Sequence, residues 1–140
     1  MYETVLVPTD GSRAARNAAE NAIRIAKRHD STIHALYVMD MGDAGYVATP
    51  SDIRETRQRL ESKGLEFTRE IEELVEEAGV ECVCEVRAGI AEETIVEYAD
   101  EVGADLVVMG KRGRSDPDKP AFGSITNRVI GSTDTLVLTA

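Results

Sequence analysis

The sequence predicts an α/β fold, an open parallel five-stranded sheet with helices on both faces. Short apolar runs alternate along the chain with longer amphipathic runs, which is the pattern of a parallel sheet covered by helices. Val5 to Val7 and Leu106 to Met109 are apolar without alternation, as central strands buried on both faces are. With 140 residues, 42% of them hydrophobic, the chain is long enough for a real core. We therefore expect a single domain over residues 1–140.

The alternation predicts nine elements. Strands are expected at about 3–8, 32–39, 80–87, 104–110 and 134–139, and helices at about 11–29, 51–79, 91–102 and 124–132. A doubly wound, Rossmann-like sheet of this kind has the strand order 3-2-1-4-5, in which strands one and four are neighbours.

The first two helices carry the clearest local signals. Helix one has a stripe of small residues that lets it pack close to the sheet. These residues are Ala15, Ala18, Ala19, Ala22 and Ala26. Helix two starts with Thr49 as N-cap, Pro50 in the first turn and Asp52 near the positive end of the dipole. Gly64 predicts a bend or break in it, and Gly79 predicts its end.

Composition excludes several classes of function. The net charge of −10 argues against nonspecific nucleic-acid binding, which needs Lys and Arg. No apolar run approaches the roughly 18 residues of a membrane span, and the N-terminus reads as a strand, so we expect a cytoplasmic protein. The acidic, Lys-poor composition suits a high-salt cytoplasm, although an ordinary acidic protein fits equally well.

Cys82 and Cys84 stand two apart in a predicted strand, so both thiols share one face. Core thiols are the expected role. A zinc site needs further ligands, and His29 and His34 belong to other elements. The sequence predicts no metal centre.

The most informative motif is a pair of glycine segments after the fourth strand. It reads Gly110-Lys-Arg-Gly113, then nine residues, then Gly123-Ser124-Ile125-Thr126. Glycine at the end of a strand lets backbone amides approach an anion without a Cβ between them. The second segment opens a predicted helix, whose first amides and dipole favour negative charge. Together the segments predict a cradle for the phosphates of a nucleotide.

A second loop, Pro8 to Ser12, follows the first strand. Ligands of doubly wound sheets bind at the carboxyl ends of the strands where the winding reverses, and both loops belong there. Asp10 is a candidate cap of helix one and also a candidate to bond a base or ribose, and the two roles are compatible. Ser12 reads as a cap or turn residue rather than a nucleophile, because no histidine is placed to activate it.

Four basic residues occur within nine positions of the glycine loop, which fits polyphosphate binding, although a solvated loop is the alternative. They are Lys111, Arg112, Arg114 and Lys119. Asp116 and Asp118 either assist Mg²⁺ through waters or simply face solvent. The chain has neither a P-loop nor a Gly-x-Gly-x-x-Gly after strand one. We therefore expect a site that holds a nucleotide rather than one that cleaves it quickly.

These motifs, together with Val-Pro-Thr-Asp-Gly-Ser at residues 7–12, resemble the universal stress protein family over essentially the whole chain, and in particular its ATP-binding branch. The resemblance implies a cytoplasmic homodimer that binds ATP or AMP, with Mg²⁺. One departure is the insert 114–122, which contains Pro117 and Pro120. The nucleotide contacts implied by the resemblance are Pro8, Thr9, Asp10, Val38, Gly89, Met109, Gly110, Arg112, Gly113, Gly123, Ser124, Ile125 and Thr126.

Three functions remain open at this point. The first is a nucleotide-binding regulatory protein without catalytic residues, acting through an unknown protein partner. The second is a slow ATPase or autophosphorylating enzyme, with Ser124 or Thr126 as acceptor. The third is a dimeric interaction module with an empty site. The apolar edge strand at Thr133 to Ala140 invites pairing with a second copy in each case.

Overall fold

Five strands alternate with four helices in the computed structural model, which describes residues 2–40, 49–111 and 124–140. The strands are β1 (Thr4–Pro8), β2 (Thr32–Met39), β3 (Glu81–Ala88), β4 (Leu106–Met109) and β5 (Leu136–Thr139). The helices are α1 (Arg13–His29), α2 (Pro50–Glu77), α3 (Ala91–Val102) and α4 (Ser124–Ser132). Every element predicted from the sequence is present, with its ends within two residues of the prediction.

The strands form one parallel sheet in the order β3-β2-β1-β4-β5, which confirms the predicted order. Helices α1 and α2 cover one face, where side chains such as Val7 and Ile33 are fully buried. Helices α3 and α4 cover the other face, over Leu6, Leu36 and Val107. The central strands β1 and β4 are buried from both sides, as their unbroken apolar runs predict.

Helix α1 packs on the sheet through the predicted alanine stripe, whose five members are all buried. Its N-cap is Ser12, which accepts a hydrogen bond from the Ala15 amide. Because this side chain satisfies a free amide of the first turn, it fixes where the helix starts.

Helix α2 begins as predicted. Thr49 and Asp52 form a reciprocal capping box, with Pro50 in the first turn. The alternative of a break at Gly64 is wrong, because the helix is continuous through that residue. Gly64 is instead a point of close approach to the sheet, where an added Cβ would lie 2.7 Å from the Tyr37 ring. The helix ends one residue before the predicted Gly79, at its C-cap Ala78.

The two cysteines share the α2 side of β3, as predicted. The Cys84 thiol lies 3.4 Å from the Thr68 carbonyl oxygen of α2. Burial raises the pKa of Cys82 to about 12, so it stays a thiol at neutral pH. Among the described residues, no group of three or more His, Cys, Asp or Glu side chains is placed to hold a metal ion. None of the described helices has both the length and the apolar character that crossing a membrane requires.

Candidate functional site

The candidate site lies where β1 and β4 end side by side. The two strands are parallel and in register, with Val5 opposite Leu106 and Leu6 opposite Val107. The chain winds from β1 toward β3 in one direction and from β4 toward β5 in the other, so the winding reverses here. The loop after β1 and the start of the loop after β4 therefore meet at one end of the sheet, where ligands of such folds bind.

The loop after β1 is held by hydrogen bonds of its own residues. The Thr9 amide donates to the carbonyl of Leu36 within β2, 2.8 Å away. The Thr9 hydroxyl accepts from the Gly11 amide at 3.1 Å, and Asp10 Oδ1 accepts from the Ser12 amide at 2.9 Å. Ser12, and not Asp10, is thus the cap of α1. Asp10 shapes the turn before it.

The loop after β4 begins in contact with α1 and α4. A Cβ added at Gly110 would lie 2.7 Å from Ala14 Cβ and 2.8 Å from the Ala14 carbonyl carbon. The glycine at this position is therefore required by the first turn of α1, a reason that sequence reasoning missed. In the sequence, the small residue Ala14 in that turn is the one feature consistent with this close contact. The Thr126 hydroxyl donates to the Gly110 carbonyl at 3.1 Å, which ties α4 to the end of β4.

Of the remaining residues predicted to contact the nucleotide, some lie in the core and others on the surface. Met109 is buried and Val38 half-buried in the core beneath α3 and α4, which leaves mainly backbone of β4 facing the site. Gly89 donates its amide to the Met39 carbonyl at 3.1 Å, so the loop after β3 reaches the same end of the sheet. Ser124 and Ile125 are exposed on the first turn of α4, whereas Thr126 is buried.

Several predicted residues lie outside the described residues. Among the nucleotide contacts these are Arg112, Gly113 and Gly123. The same holds for Arg114 and Lys119 of the basic cluster, for Asp116 and Asp118, and for residues 41–48 of the loop after β2.

The helix N-termini at this end differ in charge. The first turns of α1 and α4 contain no acidic residue, whereas α2 has Asp52 and α3 has Glu92 and Glu93. Glu92 is moreover paired with Arg128 of α4 at 3.3 Å. Because acidic side chains neutralise the positive end of a helix dipole, α4 is the described terminus that most favours an anion, while the first turn of α1 is also free of acidic residues but follows Asp10, whose carboxylate accepts from the Ser12 amide.

Both histidines lie away from this end of the sheet. His29 ends α1 and stacks edge-on against Tyr2, with ring centroids 5.2 Å apart. His34 lies within β2, where its Nδ1 is 2.8 Å from the Tyr98 hydroxyl. Burial lowers the pKa of His34. Neither histidine is placed to activate Ser12, whose hydroxyl is already occupied by the Ala15 amide.

Comparison with known proteins agrees with this architecture. Residues 1–140 match the Universal stress protein family. The chain belongs to the universal stress protein family. It is 33% identical over 130 residues to universal stress protein MJ0531 of Methanocaldococcus jannaschii, with 93% of this chain and 76% of that protein covered.

Two solved structures of other proteins have the same fold as this universal stress protein. MJ0577 of Methanocaldococcus jannaschii superposes with a TM-score of 0.89 at 26% identity, covering 100% of this chain and 96% of that one. A universal stress protein solved in complex with cAMP superposes with a TM-score of 0.75 at 26% identity, covering 99% and 97%.

Proposed function

We propose that this universal stress protein is a cytoplasmic regulatory protein that binds an adenine nucleotide, ATP or AMP with Mg²⁺, where β1 and β4 end. One observation carries the proposal. The loop after β1, the start of the loop after β4 and the first turns of α1 and α4 lie together where the winding of the sheet reverses, and neither first turn contains an acidic residue. A nucleotide needs such a place, because its phosphates are anionic and its base and ribose need a turn beside them.

The described residues offer the nucleotide mostly backbone. Pro8, Thr9 and Asp10 would surround the adenine and ribose, with Gly89 approaching from the neighbouring loop. Gly110 and the first amides of α4 would face the ribose and phosphates. The exposed Ser124 hydroxyl would add a donor there. The family motif assigns phosphate contacts to Arg112, Gly113 and Gly123 as well.

A relative supports the class of ligand. The universal stress protein in complex with cAMP shares 26% of its residues with this chain and superposes over 99% of it. Cyclic AMP has the adenine, ribose and phosphate that the proposed site would recognise. The choice among ATP, AMP and related nucleotides is a matter for direct measurement.

The site favours binding over catalysis. Ser12 is a helix cap, and neither histidine lies near it. The Thr126 hydroxyl is buried and donates to Gly110, which makes it a poor phosphate acceptor. Ser124 is the exposed candidate for autophosphorylation. Single-turnover assays that release phosphate no faster than solution hydrolysis of ATP would exclude the enzymatic alternative.

We further propose that the protein forms a homodimer through β5. This strand is apolar and ends the sheet, so its outer backbone groups have no partner strand among the described residues. An apolar edge strand pairs readily with a second copy, and a two-fold axis would join the two sheets. Sedimentation velocity should show a species of twice the monomer mass of 15.2 kDa. A monomer over the whole concentration range would refute this part.

Nucleotide binding is tested on the purified protein. Denatured samples should release an adenine nucleotide, and added ATP with Mg²⁺ should raise the melting temperature of nucleotide-free protein. Gly123→Val should abolish binding while leaving the fold intact, since a branched Cβ would occupy phosphate space. Gly131→Val is the matched control, because its Cβ would meet nothing within 4 Å. If no nucleotide is released and no thermal shift occurs, the proposal is wrong.

A further inference from the structure

One face of β5 is left uncovered by the helix layer. Helix α1 packs on β1 and β4, and α2 packs on β2 and β3. Leu136 and Leu138 pair in register with Leu106 and Val108, so they point to the same side of the sheet as α1. Within residues 2–40, 49–111 and 124–140 this layer thus holds two helices, and neither of them covers the next position along it, over β5.

This position is a groove between α1 and β5, with a volume of about 560 Å³. Its floor and inner wall are apolar, formed among others by Ile25, Leu106, Leu136 and Leu138. Arg24 and Arg28 stand on the α1 side of the same groove. We call this feature the α1–β5 groove.

The charge of the groove is opposite to that of the chain. The protein has a net charge of −10, yet α1 carries five basic side chains against one acidic one. Neither Arg24 nor Arg28 forms an ion pair with a carboxylate of the described residues. An apolar floor beside two uncompensated cations therefore fits a partner that is apolar on one side and acidic next to it.

We propose that the α1–β5 groove docks an acidic amphipathic α-helix of a partner protein, lying alongside α1 as the third helix of this layer. Packed helices lie with their axes about 8–10 Å apart, so a helix seated over β5 would contact α1 along its length. Its apolar residues at i, i+3, i+4 and i+7 would meet Leu136 and Leu138, and its carboxylates would face Arg24 and Arg28.

Pairing of two β5 strands leaves the groove open. Strand pairing uses backbone groups in the plane of the sheet, whereas the side chains of Leu136 and Leu138 stand out of that plane. The docking inference does not rest on the nucleotide site either, because no residue that lines the groove belongs to that site.

The test is fluorescence anisotropy with three labelled synthetic helices, each 17 residues long like α1. The first has leucines on one face and glutamates elsewhere. The second has the same composition with the leucines scattered around the helix, and the third has lysine in place of glutamate. We expect the first to bind at least about tenfold tighter than either control at moderate salt.

Variants of the protein locate the contact. Arg28→Glu should weaken binding of the first helix by about tenfold, because it reverses a charge beside the floor. Lys27→Glu is the matched control, with the same charge change on the neighbouring residue outside the groove lining, and should change the affinity by less than about threefold. Leu136→Asp should abolish binding. Circular dichroism melts show that each variant is folded.

Three results would overturn the proposal. Equal binding of the first two helices would mean that charge alone attracts them. Equal effects of Arg28→Glu and Lys27→Glu would place the contact elsewhere on α1. A wild-type protein that binds none of the helices would refute helix docking. If the dimer also dissociates in Leu136→Asp, a second copy of the chain covers the groove instead.

Discussion

The two ends of the sheet are built differently. At the amino end, side chains tie separate strands together: Asp105 Oδ2 accepts hydrogen bonds from the Glu3 and Thr4 amides at 2.9 and 3.1 Å. The Ser31 hydroxyl donates to the Tyr2 carbonyl in the same region. At the carboxyl end, the Thr9, Asp10 and Ser12 side chains accept hydrogen bonds from the nearby amides of residues 11, 12 and 15.

We infer from this difference that the amino end of the sheet contributes to stability, whereas the carboxyl end contributes to stability and to ligand binding. The bonds at the amino end hold the starts of β1, β2 and β4 together. Local bonds at the carboxyl end fix the shape of the first loop, and Thr126 fixes α4 beside it. The carboxyl end is thereby shaped in advance, which reduces the ordering cost of binding. Changes at the amino end should therefore cost stability alone, while changes at the carboxyl end should also cost affinity.

The largest effect is expected from Gly110→Ala. The new Cβ would meet Ala14 Cβ at 2.7 Å and the Ala14 carbonyl carbon at 2.8 Å, so α1 or β4 must shift. We expect the free energy of unfolding in urea to fall by about 1–3 kcal/mol, and nucleotide affinity to fall with it. Gly131→Ala, in open space within α4, is the control and should stabilise by about 0.5–1 kcal/mol. Equal stability of the Gly110 variant and wild type would contradict the close approach.

Asp105→Ala tests the amino end. It removes the acceptor of two backbone amides, and we expect a loss of about 1–2 kcal/mol in the free energy of unfolding. ATP affinity measured by calorimetry should not change. Asp105→Asn keeps an oxygen acceptor and should lose less. A drop in ATP affinity for Asp105→Ala would break the separation between the two ends.

Thr126→Val tests whether one hydrogen bond positions α4 at the carboxyl end. It keeps the shape of the side chain but removes the donor to the Gly110 carbonyl, which should cost about 1 kcal/mol of stability. ATP affinity should fall several-fold, because α4 is no longer held against β4. Thr126→Ser retains the hydroxyl and should restore most of both. An unchanged affinity in the valine variant would show that α4 is positioned by other contacts.

The smallest effect is expected at His34, in the middle of β2 and away from both ends. Burial, which outweighs Glu85 and Glu81, lowers its pKa below the ordinary 6.5. As the pH falls below about 6.5, His34 is therefore protonated in the unfolded chain before it is protonated in the folded chain. The free energy of unfolding decreases over this range, until the pH reaches the lower pKa of the folded state. The melting temperature of wild type should drop more between about pH 7.5 and pH 5.5 than that of His34→Gln. An equal or larger drop in the variant would contradict this.

The sequence predicted the fold better than the details of the site. Unbroken apolar runs in β1 and β4, the alanine stripe of α1 and the cap at Thr49 are local signals, and local signals are readable in a sequence. The packing role of Gly64 was missed because a glycine in a helix has two possible roles. It permits a break, but it also permits the close approach to Tyr37 that the structure shows.

The same ambiguity applies to Gly110. Its position after a strand suggested an approach to an anion, and the structure adds a packing reason in Ala14. That contact joins residues far apart in the chain, so no spacing rule reveals it. Asp10 and Ser12 were both plausible caps of α1, and only the geometry of the turn distinguishes them.

Hydrogen–deuterium exchange with and without ATP and Mg²⁺ tests the central claim most directly, because it reports both ends of the sheet in one experiment. We predict that ATP slows exchange at residues 9–14, 110–113 and 123–128, at the carboxyl end. Amides of residues 3–4, 30–32 and 103–105, at the amino end, should exchange at unchanged rates. Protection confined to the amino end, or no protection at saturating ATP, would contradict nucleotide binding where β1 and β4 end.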